Sequence, residues 1–288
     1  MTTLTTSPLP SPDTVDVSPI ATRTAPAVTS AGGKLRDVMH SEWIRFRSVR
    51  SSIITLLAAG IAMVAFGLIF SATAGSNEAA PGPTVGITDP VDIALGAVSL
   101  TQMIVGVLGV LIVTTEYSTG LIRTSIAAVG RRLKLLGAKS TVLTGVTATV
   151  MAVAATLAVW LGQAVYAGDE ATVSMADPDV WGVILGATTY LTGIALIGAA
   201  LGFIFRSTAG AIGVLVGGVF IGPNLLRLLP EGFTDVVLKY LPSEAGSAMM
   251  SRVSDPDLLS TGSAYLVFGA WVLGLLGLAA VLLRTRDA

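Results

Sequence analysis

The chain has 288 residues, of which 52% are hydrophobic and only 12% are charged, and its mean hydropathy is +0.79. An ordinary soluble domain carries about 25% charged residues, so this composition indicates an integral membrane protein. The net charge of -1 gives no sign of a nucleic-acid partner. With no cysteine and a single histidine, His40, the sequence offers no thiolate or histidine set for a metal site.

The first 33 residues have the composition of a disordered segment. They are rich in Thr, Ser, Pro and Ala and contain no aromatic residue, so they cannot bury enough apolar surface to offset the entropy of ordering. They also lack the basic start and apolar core of a signal peptide. We predict a disordered cytoplasmic tail over 1–33, an amphipathic helix over 34–50 and a six-helix transmembrane domain over 51–288.

Residues 34–50 carry apolar side chains three or four positions apart, surrounded by Lys and Arg. The apolar set is Leu35, Val38, Met39, Trp43, Phe46 and Val49. This spacing gives a helix one apolar face, and basic amphipathic helices lie along membrane surfaces. The segment therefore predicts an interfacial helix, although it could instead be the start of the first membrane span.

Six apolar runs follow, and each is long enough to span a membrane. A hydrocarbon core of about 30 Å requires about 20 helical residues, and the backbone must be helical there because unpaired amides are costly in lipid. The fourth and fifth runs are separated only by Arg206 and its neighbours, which predicts a tight helical hairpin or one long bent helix. The runs cover roughly 51–74, 91–114, 138–166, 180–205, 207–229 and 263–283.

Basic residues lie mostly on one side of the predicted membrane. If the six spans alternate in direction, the other side receives only three of the seventeen Lys and Arg residues, namely Arg227, Lys239 and Arg252. Basic loops stay in the cytoplasm. We therefore predict a multi-pass protein of the cell membrane with both termini cytoplasmic, and lipid as a partner.

The external connection between the fifth and sixth spans is too long for a turn and too polar for a span. A short apolar stripe precedes Pro242, which interrupts a helix, and Ser243 is of a residue type that caps helices. We predict two short re-entrant helices here, the second capped by Ser243.

The predicted spans contain no ionisable residue in their interiors. This argues against an ion-coupled transporter, which binds its coupling ion near the membrane midplane. The segment 137–141 is not a phosphate-binding loop, because Ala138 precedes Lys139 where that motif requires glycine. No catalytic constellation is visible, and we do not expect an enzyme.

Several glycines are spaced four residues apart, which allows helices to approach closely. Such pairs serve either internal packing or contact with a second copy of the chain. The pairs are Gly182 with Gly186, Gly198 with Gly202, and Gly213 with Gly217.

The segment 114–139, between the second and third spans, combines basic residues with an apolar pattern suited to a short helix. Leu121, Ile122 and Ile126 supply the apolar pattern. The basic residues are Arg123, Arg131, Arg132, Lys134 and Lys139.

This segment resembles the first cytoplasmic loop of ABC-2 type permeases, the membrane subunits of ATP-binding cassette exporters. The resemblance extends over residues 34–288, through the interfacial helix, six spans and long last external loop. The matching features of the loop are, in chain order, Glu116 at the end of the second span, Gly120, a short helix over 121–128, Arg131 with Arg132, and Lys139 at the start of the third span.

The resemblance implies a half-transporter, in which two copies of this fold work with two separate ATPase subunits. ATP and Mg would bind to the ATPase and no cofactor to this chain. The helix over 121–128 would be the coupling helix, seated in a groove of the ATPase, and the N-terminal helix would make a second contact through Glu42, Arg45 and Arg47. The implied coupling residues are Glu116, Gly120, Leu121, Ile122, Arg123, Ile126, Arg131 and Arg132.

The implied function is ATP-driven export of a hydrophobic or amphipathic substrate, such as a drug, lipid or peptide. Substrate would pass between two permease copies along the second and fifth spans, past Thr101, Gln102 and Asn224. Two alternatives remain open: a non-transporting anchor that docks a cytoplasmic protein, and an ion-coupled secondary transporter. Some of the basic loop residues, Arg131, Arg132 and Lys134, could instead bind anionic lipid headgroups.

Overall fold

The computed structural model describes residues 35–74, 89–121, 132–166, 173–228, 230, 237–252 and 258–285, and these ranges contain helices and turns but no strand. The predicted tail over 1–33 lies outside them. The α-helices are α1 Leu35–Ser48, α2 Arg50–Ala74, α3 Pro90–Leu95, α4 Val98–Ser118, α5 Arg132–Val165, α6 Pro178–Phe205, α7 Thr208–Val216, α8 Gly222–Leu226, α9 Pro242–Met250 and α10 Thr261–Thr285.

Six of these helices or helix combinations are long and apolar enough to cross a membrane, as the sequence predicts. They are α2, α3 with α4, α5, α6, α7 with α8, and α10. The boundaries differ most at the third span. There α5 begins at Arg132 rather than near 138 and has 34 residues, a length of about 51 Å at 1.5 Å per residue. Because α4 also continues to Ser118, the helices include Glu116 and Lys139.

Helix α6 is the centre of the bundle. In its most apolar stretch of 18 residues, 83% of the residues are buried. The helices α4, α5, α7, α9 and α10 all pack against it. The closest approach is to α4, where Gly198 lies against the backbone carbonyl of Gly106 and Gly109 lies against the carbonyl of Ala195. A side chain at Gly109 or Gly198 would collide with backbone, so glycine sets the distance between α4 and α6.

The six glycines of the three predicted pairs fall into two groups. Gly186, Gly198 and Gly202 are in tight contact with neighbouring helices, whereas a side chain added at Gly182, Gly213 or Gly217 would meet nothing within 4 Å. Only part of the small-residue pattern therefore serves packing within the chain.

Helices α6 and α7 form the predicted antiparallel hairpin. Ile194 of α6 and Leu215 of α7 both lie against Gly106, which requires the chain to reverse between them. The reversal occurs at Arg206, which has the left-handed backbone angle φ 52°, and Ser207 then caps α7 by accepting from the backbone N–H of Gly210. Arg206 lies over the Tyr117 ring at 5.4 Å from its centroid, a cation–π contact that helps to offset the backbone strain.

The fifth span is not a regular α-helix. Residues Gly217–Ile221 between α7 and α8 form a π-helical turn, which ends two residues before Pro223 in the first turn of α8. Proline has no N–H and clashes with the carbonyl four residues earlier in a regular α-helix. The wider π-helical turn accommodates that proline.

In the described part of the connection before the sixth span, the chain forms a 3-10 turn over Leu238–Tyr240 and the helix α9. The predicted cap at Ser243 is wrong: Pro242 is the first helical residue, so Leu241 is at the capping position and makes no side-chain cap bond. Helix α9 is wedged between α6 and α10, with Gly246 against the Tyr190 ring and the Met249 carbonyl against Gly186.

A single arginine joins two helix starts at this end of the bundle. Arg252 contacts Asp89 at 3.0 Å and Asp177 at 3.1 Å. Each aspartate also caps a helix, since Asp89 accepts from the Val91 N–H and Asp177 accepts from the Asp179 N–H. The guanidinium therefore links the starts of α3 and α6. We call this end of the bundle the Arg252 end.

We expect Gly109→Ala to lower the free energy of unfolding by about 1–3 kcal/mol, the usual cost of overpacking, because the added methyl group meets the Ala195 carbonyl. Gly145→Ala in α5 is the matched control, since nothing lies within 4 Å of its added carbon, and it should leave stability unchanged or raise it slightly. Thermal unfolding of the detergent-solubilised protein measures both. Equal effects of the two substitutions would contradict glycine-controlled packing of α4 on α6.

Candidate functional site: a buried ion-pair cluster

Four charged side chains from three helices meet at the end of the bundle opposite Arg252. The Lys139 ammonium contacts Glu116 Oε1 at 2.6 Å and Glu42 Oε2 at 3.0 Å. The Arg45 guanidinium lies 3.3 Å from Glu116 and 3.8 Å from Glu42. We call these four residues the Lys139 cluster; it joins α1, α4 and α5.

Each member of the cluster reaches this position from a regular helix. Glu42 and Arg45 are three residues apart on α1 and so lie on one helix face. Glu116 lies in the last turn of α4, where the helix dipole disfavours a carboxylate. The Glu116 charge is therefore stabilised by its cationic partners and not by its own helix.

Three members of the cluster are buried, Arg45 is partly exposed, and the four charges balance. Relative exposure is 4% for Lys139, 6% for Glu116 and 7% for Glu42, and two carboxylates face two cations. Removing two or more charges from water costs several kcal/mol for each ion, which their mutual attraction repays only with good geometry. Loss of any one partner leaves an unbalanced charge in the protein interior.

A cavity of about 310 Å³ adjoins the cluster. Its walls come from α1, α2, α4 and α5, and apart from the cluster they are apolar or carry hydroxyl groups. The apolar part is formed by Phe46, Val49, Leu108, Leu111, Ile112, Leu121, Val142 and Leu143, and the hydroxyl part by Ser51, Ser52, Thr55, Thr115 and Thr119.

The residues predicted to couple to an ATPase have different environments. Glu116 and Glu42 are buried and paired inside the chain, so neither is presented at a surface of this chain for a partner to contact. Arg45 is partly buried and Arg47 is exposed.

The predicted coupling residues beyond α4 begin with Gly120, which has φ +72°. The next residue, Leu121, is 47% exposed. The predicted coupling residues Ile122, Arg123, Ile126 and Arg131 lie outside the described residues.

Arg132 has a partner within the chain. Its guanidinium donates to the backbone carbonyl of Leu283 at 2.9 Å and so ties the start of α5 to the last turn of α10. The Arg132 guanidinium thus takes part in packing at the end of the bundle that holds the Lys139 cluster, which we call the Lys139 end. The expectation that Arg132 contacts an ATPase or a lipid headgroup stays a prediction.

The three predicted substrate-path residues are not brought together on one surface. Thr101 and Gln102 are buried; the Thr101 hydroxyl donates to the Ala97 carbonyl, and Gln102 bonds to Ser99 and accepts from the Tyr190 hydroxyl. Asn224 is exposed and donates to the Phe220 carbonyl of its own helix. The Thr101 hydroxyl bonds within α4, and Gln102 joins α4 to α6. Neither side chain lines an open path in this chain.

The sequence interpretation missed the central role of Lys139. The sequence analysis treated Lys139 only as the residue that opens the third span. In the structure its ammonium group is paired with two carboxylates from other helices. Glu116 lies in the last turn of α4 and Lys139 in the first part of α5, so these two ionisable groups are near span ends and not in span interiors. Among the described residues, no group of three His, Cys, Asp or Glu side chains is placed to hold a metal ion.

No protein-family model matches the chain, and no curated protein matches it at a significant level. Function is therefore argued from the geometry of the site.

We expect Lys139→Met to lower the free energy of unfolding by about 3–5 kcal/mol, because it leaves Glu42 and Glu116 buried without their shared cation. Adding Glu42→Gln and Glu116→Gln to Lys139→Met should restore much of the lost stability, since no unbalanced buried carboxylate remains. Thermal or denaturant unfolding in detergent measures these differences.

The control is Arg227→Met, which breaks an ion pair with Glu244 in which the arginine is mostly exposed. We expect it to cost less than about 1 kcal/mol. If Lys139→Met were as mild as this control, the cluster would not hold the three helices together.

Proposed function

We propose that the chain is the membrane-spanning permease subunit of an ATP-binding cassette transporter of the ABC-2 type. The observation that carries the proposal is the Lys139 cluster, which fastens the end of α4 and the start of α5 to each other and to α1. The loop between α4 and α5 thus begins and ends on a rigid base.

A rigid base is what a loop needs if it is to transmit force. A cytoplasmic motor that displaces the loop can move membrane helices only if the displacement is not absorbed locally. Glu116 on α4 and Lys139 on α5 are joined at 2.6 Å, and Arg132 connects the same end of α5 to α10. A force on the loop would therefore reach α1, α4, α5 and α10 together.

The geometry changes the roles proposed for the coupling residues. Glu42 and Glu116 are positioning residues, because they are buried and hold the base of the loop. Contact with the ATPase falls to the exposed Leu121, to Ile122, Arg123, Ile126 and Arg131 beyond it, and to the exposed Arg47 on α1. ATP and Mg would be bound by the ATPase, and this chain would act as its transport subunit.

The topology supports the same proposal. Six spans with an additional N-terminal helix, α1, and a short helix, α9, before the last span are the elements expected of such a permease. We propose that α1 lies in the membrane interface, that α9 is re-entrant from the external side, and that both termini are cytoplasmic in the cell membrane. Charge sidedness in the sequence supports this orientation.

A second copy of the chain is proposed to pack against the fifth span. In the most apolar stretch of Thr208–Leu226 only 22% of the residues are buried, the same share as in α10, and Val214, Ile221 and Leu225 are exposed in the fifth span. Gly213 and Gly217 have open space beside them, which would let another helix approach closely. A hydrophobic or amphipathic substrate would be exported along this interface, where the exposed Asn224 remains a candidate contact and Thr101 and Gln102 do not.

We expect the purified chain to associate with an ATPase encoded near it and to raise or regulate its ATP hydrolysis. Leu121→Asp should weaken this association by about tenfold or more, because a buried leucine contact is worth about 1.5–3 kcal/mol. Leu228→Asp is the control, since Leu228 is also exposed but lies at the Arg252 end. Co-purification and ATPase rates in reconstituted vesicles measure both.

The same experiment separates the competing functions. An anchor would recruit a protein without any ATP-dependent flux, and an ion-coupled transporter would lose flux when the ion gradient is collapsed while ATP is still present. Failure to associate with any of the neighbouring ATPases would end the permease proposal.

We expect Val214→Cys to form a disulfide with its own counterpart in native membranes, because the fifth spans of two copies would meet there. The chain has no natural cysteine, so each introduced cysteine can be interpreted without background. Leu273→Cys on α10 is the control, being exposed but away from the fifth span. Cross-linking of Leu273→Cys alone, seen as a dimer on non-reducing gels, would place the second copy elsewhere.

A further inference from the structure

The cavity beside the Lys139 cluster has no role in the proposed transport mechanism. It lies between α1, α2, α4 and α5, away from the fifth span, and has a volume of about 310 Å³. Val49, Ser51 and Leu121 at its edge are exposed, so the cavity is open at the Lys139 end of the bundle. An amphiphile from the adjoining membrane surface can enter there.

The polarity of the cavity walls changes with depth. On α4 the lining residues run from Thr119 and Thr115 at the mouth through Ile112 to Leu108. Leu108 precedes Thr119 by about three turns of helix, a depth of about 16 Å. Thr115 and Thr119 are exposed, whereas Leu108 and Leu143 of α5 are almost fully buried. A ligand that fits this gradient has a polar head at the mouth and one apolar chain inside.

The charged part of the wall requires no counter-ion from a ligand. Two carboxylates, Glu42 and Glu116, face two cations, Lys139 and Arg45, so the four charges balance. An ammonium ligand would add a third cation to this set, and a carboxylate ligand would add a third anion. Either would leave an unbalanced charge beside a buried cluster, which is costly. The polar head of the ligand is therefore uncharged.

The hydroxyl groups on two of the walls differ in whether they can still donate a hydrogen bond. On α4, Thr115 donates to the Leu111 carbonyl and Thr119 donates to the Thr115 carbonyl, so each hydroxyl oxygen is left only to accept. On α2, Ser52 and Thr55 make no side-chain hydrogen bond within the part of the chain that the structure describes, so each can donate and accept. A ligand hydroxyl group suits both walls because it also donates and accepts.

We propose that this cavity binds an uncharged single-chain amphiphile with a hydroxylated head, of the monoacylglycerol or alkylglycerol class. Its hydroxyl groups donate to Thr115 and Thr119 and bond with Ser52 and Thr55, and its chain lies against Leu108. The volume is at the lower end of the range for ligand pockets, about 300–1,000 Å³, which is too small for a two-chain lipid.

Binding of this ligand does not rest on the proposed transport function. The ligand would connect α2 with α4 beside the base of the α4–α5 loop, and would therefore add to the rigidity of that base. Its binding can be measured without an ATPase, so failure of the permease proposal and failure of this one are distinguishable.

The probe is 1-O-octylglycerol carrying a photoreactive diazirine on its chain, added to the full-length protein in phosphatidylcholine vesicles. After illumination, mass spectrometry locates the labelled residues. We expect saturable labelling near Thr55, Ile112 and Leu143. Unlabelled octylglycerol should compete at least about tenfold more strongly than octylamine or octanoate at equal membrane concentration, because the cavity balances neither ion.

Two substitutions on α2 separate binding in the cavity from partition into lipid. Thr55→Phe adds a ring to the cavity wall and should reduce labelling about tenfold, because the ring takes the place of the ligand. Ile54→Phe is the matched control, since Ile54 is exposed and does not line the cavity, and it should leave labelling unchanged.

A double substitution on α4 tests the head of the ligand. Thr115→Val with Thr119→Val removes the two acceptor oxygens and nearly keeps the shape of the side chains. Octylglycerol should then compete about threefold to tenfold less well. Its dimethyl ether, which has no hydroxyl group to donate, should compete equally well in the substituted and unsubstituted proteins. Equal losses for the two compounds would contradict the assigned hydrogen bonds.

Three further results would overturn the proposal. They are competition by octylamine or octanoate as strong as that by octylglycerol, labelling confined to lipid-facing residues, and labelling that Thr55→Phe does not reduce. If Thr55→Phe does not fold, the order of the competitors and the sites of labelling in the unsubstituted protein decide the question.

Discussion

Lys139 provides one ammonium group for two buried carboxylates, and the arrangement of one whole end of the bundle follows from that sharing. In a region of low dielectric, a charge attracts its partners strongly but is costly if left alone. Glu42 on α1 and Glu116 on α4 must therefore both remain near α5. The register of α1 against the bundle is fixed by this requirement as well as by its apolar face. Arg45 completes the balance of charge from the more exposed side.

Close backbone approach is the second constraint, and it acts along the length of α4 and α6. Gly109 and Gly198 allow each helix to touch a carbonyl of the other, so the pair packs without intervening side chains. Gln102 and Tyr190 then form a buried hydrogen bond between the same two helices. The contact between α4 and α6 thus combines small residues with a buried polar contact, which suits an environment where lipid and protein are equally apolar.

The sequence predicts the six spans well because a span requires an uninterrupted apolar run of defined length, and that requirement is local. The early start of α5 was missed because hydropathy declines at Arg132 and Lys134, whereas helical backbone continues through such good helix formers. Proline favours the first helical position, so the position of Pro242 already indicates Leu241 as the capping residue. The prediction that Ser243 caps this helix overlooked that preference. Pairing of Lys139 with Glu42 joins residues 97 positions apart, and no local pattern contains it.

The two ends of the bundle are held by ion pairs of unequal burial. Lys139 and its carboxylates are almost completely enclosed, whereas Arg252, Asp89 and Asp177 are each partly in contact with solvent. Dissolved ions screen exposed charges and have little effect on enclosed ones. Ionic strength therefore distinguishes between the ends: rising salt loosens the tie between the starts of α3 and α6 while leaving the base of the α4–α5 loop intact. The protein has one end whose rigidity depends on the surrounding medium and one whose rigidity is intrinsic.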